Sequence, residues 1–107
     1  MRATDRPGEA AAFRAMGLDL RKKDPYFQSF MAEEALAAGD LEESQRRADA
    51  ALKLQPYEPE FHLLRARVWI QQGRLDEAIK SLERAKRWAT PAERERYDSK
   101  LTNLQKP

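Results

Sequence analysis

The chain has 107 residues, enough for one domain with a modest core. It has no cysteine, which excludes disulfides and thiolate chemistry, and no apolar run approaches the roughly 20 residues that span a bilayer. A formal net charge of +2 does not suggest a general nucleic-acid binder.

The charge is unevenly placed. Pro25 to Glu58 holds seven acids and three bases, while Pro59 to Thr90 holds four acids and seven bases. The middle of the chain is therefore acidic and its second half basic. Ala, Leu, Glu, Lys, Arg and Gln dominate, and these favour helix. The strand-favouring branched residues Val and Ile are confined to Val68, Ile70 and Ile79. No stretch alternates with period two, so the expected class is all-α.

In chain order, the first element is a helix over 8–20. Glu9, Ala10 and Gly17 fall in register with Glu43, Ser44 and Ala51, and again with Glu77, Ala78 and Ala85, at a spacing of 34 residues. This segment reads as the second helix of a preceding partial repeat, and the chain as the C-terminal part of a longer repeat protein. A full repeat is expected over 25–58 and another over 59–90. Ala38-Gly39-Asp40-Leu41-Glu42-Glu43-Ser44 matches Gln72-Gly73-Arg74-Leu75-Asp76-Glu77-Ala78 at the same offset. Pro25 and Pro59, Phe27 and Phe61, and Ala32 and Ala66 share it.

Proline is tolerated in a first helical turn, so Pro25 and Pro59 open helices. Asp24 is a good N-cap for the first, whereas Glu58 is a poor one for the second. Gly39 and Gly73 can take the left-handed conformation that stops a helix. Glu42 and Glu43, then Asp76 and Glu77, suit the positive end of the helix that follows. The small residues Ala32 with Ser44, and Ala66 with Ala78, allow close helix crossings. The last element, 91–105, opens with the capping box Thr90-Pro91-Ala92-Glu93. Its apolar stripe Tyr97, Leu101 and Leu104 is expected to cover Val68, Ile79 and Leu82 and so close the stack.

The period and its signature resemble the tetratricopeptide repeat family. Ala32, Gly39, Leu41, Ser44, Ala51, Leu52 and Pro56 carry the match in the first copy. Ala66, Trp69, Gly73, Leu75, Ala78, Leu82 and Ala85 carry it in the second. The resemblance implies a right-handed superhelical stack of antiparallel helix pairs, with a concave groove lined by the first helix of each pair. It also implies a groove set: Tyr26, Ser29, Glu33, Leu36 and Ala37, then Glu60, Leu63, Arg67, Ile70 and Gln71. Some members clamp a peptide carboxylate with lysine and asparagine. Ser29 and Glu33 stand in that region here, so no such clamp is expected.

Nothing in the pattern points to catalysis or to a cofactor. His62 has no cysteine partners for a metal site and no Ser or Asp arrangement around it, so it reads as a structural histidine. The four glycines are scattered and form no phosphate loop. Trp69, Trp88, Tyr26, Tyr57, Phe27, Phe30 and Phe61 fall mostly at core spacings and are expected to pack. The basic residues Lys80, Arg84, Lys86 and Arg87 read as a solvated outer face. The leading expectation is a scaffold that binds a protein or peptide partner in the groove. Self-association, or docking to another part of a larger protein, is the alternative. Binding of nucleic acid or a membrane surface through the basic half is a third, which a salt titration separates. The sequence leaves the compartment open.

Overall fold

The computed structural model describes residues 20–106. A short 3-10 turn, Leu20–Lys23, leads into five helices: α1 Pro25–Ala37, α2 Leu41–Leu54, α3 Pro59–Gln71, α4 Leu75–Trp88 and α5 Pro91–Gln105. There is no strand among the described residues. The helix expected over 8–20 lies outside them but for Leu20. Each helix packs on the next along a stack of pairs: α1 on α2, α2 on α3, α3 on α4 and α4 on α5, with α1 also touching α3.

The chain punctuates these helices by local chemistry. The Asp24 carboxylate accepts from the Tyr26 and Phe27 amides, and Asp40 accepts from the Glu43 amide. Glu58 and Arg74 make no side-chain cap. Gly39 and Gly73 have φ of +82° and +77°, where a Cβ is disfavoured. The turn is a Schellman motif in both copies. Asp40 N–H donates to Ala35 O at 2.9 Å, and Arg74 N–H to Trp69 O at 2.8 Å. At α5 both bonds of the capping box form, between Thr90 and Glu93. The backbone amide and hydroxyl of Thr90 hold the Glu93 carboxyl below its usual pKa range.

Small residues set the helix crossings. Ser44 is fully buried and its hydroxyl donates to Ala32 O at 2.8 Å, which fixes α2 against α1. In the second pair Ala66 and Ala78 are both fully buried. They belong to the main core with Leu82, Ala85, Ala89, Tyr97 and Leu101, against which Ile79 and Leu104 also pack. Leu82 thus shares a core with Tyr97 and Leu101 of the last helix, as its stripe suggests, and Ile79 packs against the same cluster. Val68 is a correction: it is buried but lies outside this cluster. It sits one turn after Leu64, whose partners are Ala32 and Ala48 of the first pair.

The aromatic residues need a larger correction. Of the seven expected to pack, only Phe61 is buried; Tyr26, Phe30, Tyr57 and Trp88 are exposed. Tyr57 and Trp88 instead pack against each other at the surface in a tilted contact, with ring centroids 4.5 Å apart and planes inclined at 58°. Trp69 is half-buried between Arg65 and Arg74, whose guanidinium carbons lie 4.1 and 5.0 Å from the ring centre.

His62 is buried, and its Nε2 lies 2.7 Å from Pro56 O, so the neutral ring donates there. Burial lowers its pKa; the Pro56 bond opposes this, and the field of Arg84 adds to it. The unfolded chain therefore takes up the proton first as pH falls. The stability contributed by the neutral ring is complete above about pH 6.5 and is lost as pH drops toward the folded pKa. Thermal melts should show this loss as pH falls below about 6.5. His62→Gln should remove it while keeping the fold, since Gln28, 34 residues earlier, makes the equivalent bond to Lys22 O. A variant with the same pH profile would assign the loss to other groups.

Candidate functional site

The first helices of the two pairs, α1 and α3, run side by side and present one open face. An open depression of about 300 Å³ lies between them. Glu33, Leu36 and Ala37 line it from α1, and Arg67, Ile70 and Gln71 from α3. Spacings of three and four residues along each helix put these side chains on one stripe. Arg67 and Glu33 approach to 3.6 Å across it, both about half exposed. A pair so open to water contributes little to stability, so its charges remain available to a ligand. Ile70 is exposed in the floor, and Leu36 is half-buried.

A second cleft, of about 230 Å³, continues from Arg67 and Ile70 toward α5. Leu63, Ala66, Leu82 and Leu104 make it apolar, and Lys100 and Asn103 stand at its side. The resulting surface is an apolar trench with an acid at the α1 end and two bases, Arg67 and Lys100, toward α5. Among the described residues there is no group of three or more His, Asp or Glu side chains that could hold a metal ion.

Six of the ten residues expected in the groove line the first depression, and Leu63 lines the adjoining cleft. The other three lie elsewhere. The Tyr26 hydroxyl donates to Glu58 Oε1 at 3.4 Å and accepts from Gln55 Nε2 at 3.0 Å, so it is tied to the turn between the pairs. Glu60 faces Arg96 of α5 at 4.0 Å. Ser29 is half-buried and lines neither cavity. Sequence reasoning missed Lys100, Asn103 and Leu104. Their spacing of three and four residues on α5 was the available signal, and α5 was read only as a cap.

The tetratricopeptide repeat profile matches residues 31–92. The chain belongs to the tetratricopeptide repeat family. That span runs from α1 into the start of α5 and includes both helix pairs except the first turns of α1. A comparison with curated proteins finds no match. Tetratricopeptide repeats generally mediate protein–protein interaction and are typically scaffolds rather than catalysts. No helix among the described residues is long and apolar enough to cross a membrane.

Proposed function

We propose that this tetratricopeptide repeat chain binds a short extended or helical segment of a partner protein along the trench formed by α1, α3 and α5. The observation that carries the reading is the shared lining. Arg67 and Ile70 belong to both cavities, so the two join into one surface that runs from α1 across α3 to α5, with Leu82 of α4 also lining it. Exposed apolar side chains in its floor supply non-directional affinity, and Glu33, Arg67, Lys100 and Asn103 supply orientation. A partner segment with a basic residue toward α1 and an acidic residue toward α5 fits that arrangement.

The trench is tested by exchanging its charges. Glu33→Lys with Arg67→Glu keeps an ion pair across the depression but reverses its direction. Partner binding should be abolished, while the circular-dichroism spectrum and melt stay unchanged because both side chains are exposed.

A further inference from the structure

The cleft between α3 and α5 differs in kind from the depression between α1 and α3, because no acid lines it. Leu63 and Ile70 of α3, Leu82 of α4 and Leu104 of α5 give it apolar walls. Three donors stand beside them: the Arg67 guanidinium, the Lys100 ammonium and the Asn103 amide. Lys100 and Asn103 are three residues apart, so both side chains rise on the same side of α5. Both are exposed and engage no other side chain among the described residues. Arg67 meets only the half-exposed Glu33 there, at 3.6 Å. We propose that this cleft is an anchor pocket for one large apolar side chain of the partner, with an acidic side chain beside it held by Lys100, Arg67 and Asn103. The proposal rests on reading the trench as the partner site, and it assigns the specificity of that site to α5.

Size carries the apolar half. An apolar cavity of about 150 Å³ holds benzene. The cleft, at about 230 Å³, therefore has room for one leucine, methionine or phenylalanine side chain. Charge complementarity carries the acidic half. A positive rim with no acid of its own leaves the carboxylate to be brought by the ligand, and a basic ligand residue there meets two like charges. The carboxylate is a side chain's, which leaves the partner backbone free to continue along the trench past Arg67 and Ile70. Lys100 and Asn103 lie beyond residue 92, where the match to the repeat profile ends. The preference thus belongs to this chain rather than to the repeat.

The test is selection of short random peptides, displayed within a flexible linker, on the full chain. Binders should share a leucine, methionine or phenylalanine with an Asp or Glu within one helical turn of it in sequence. In a synthetic binder with both ends blocked, alanine at the apolar position should weaken binding ~tenfold or more. Lys100→Glu should weaken it as well, and a peptide with Lys in place of its acid should recover affinity for that variant. Lys100 is exposed, so the melt should not change. No shared apolar–acidic pattern, or binding only through a free carboxyl terminus, would overturn the proposal. Peptides lost with Glu33→Lys but indifferent to the alanine change and to Lys100→Glu would also overturn it, while leaving the trench as the partner site. Peptides indifferent to Glu33→Lys, Arg67→Glu and Lys100→Glu alike would overturn both.

Discussion

A chain ending at Ala89 is expected to aggregate or to lose much of its helical signal. The reason is the surface that α5 covers. Tyr97 is 1% exposed and Leu101 8% exposed, and both belong to the core cluster built on Leu82, Ala85 and Ala78. Leu104 packs on the same cluster. Full burial of a side chain of this size contributes roughly 1.5–3 kcal/mol. Losing all three costs several kcal/mol on that scale, which is comparable with the whole stability of a small domain at about 5–15 kcal/mol. The exposed ion pairs of α5, Lys86 with Asp98 at 2.7 Å and Arg96 with Glu60, do not make up such a sum. Leu101→Asp should produce part of the effect by placing a charge against Leu82. Light scattering and a circular-dichroism melt measure both outcomes. A truncated chain that stays monomeric with an unchanged melt would make α5 a free arm.

Ala78→Leu is expected to be the most damaging single enlargement at the second helix crossing. Ala78 is fully buried in one cluster with Ala66 of the facing helix, so three further carbons would have to displace core neighbours. Overpacking of this kind costs about 1–3 kcal/mol. In a domain of this size the melting temperature should fall by roughly 4–8 °C for each kcal/mol. An unchanged melt would show that the facing sides of α3 and α4 are not those assigned here.

The all-α class and the paired helices were legible because they depend on short-range chemistry that repeats. Gly39 and Gly73 occupy the same left-handed turn, and Thr90 with Glu93 forms a local cap that needs no tertiary context. Burial was less legible, because it depends on which neighbours a repeat has. Phe30 and Leu64 occupy equivalent positions, yet Phe30 is exposed whereas Leu64 is buried with Ala32 and Ala48 of the first pair. Tyr57 and Trp88 escape a helical-period argument for another reason. Tyr57 lies in a turn and Trp88 at a helix end, so each finds the other rather than a core.

The open face was partly legible for the same reason as the fold. Glu33 and Arg67 share a repeat position, and the period carries a residue on α1 to its counterpart on α3. The contribution of α5 was not legible. That helix departs from the repeat signature, so no register places Lys100 and Asn103, and only the packing angle of α5 on α4 brings them beside Arg67.

The most direct measurement of the trench as the interaction surface compares partner capture by three forms of the chain. These are the unaltered protein, the Glu33→Lys with Arg67→Glu form, and an Arg84→Glu form altered on α4, outside the trench. Partners bound by the unaltered chain should be lost with the trench form and kept with the α4 form, at equal helical content in all three. The same partners retained by the trench form and lost by the α4 form would contradict the assignment and move the interaction to the basic face of α4.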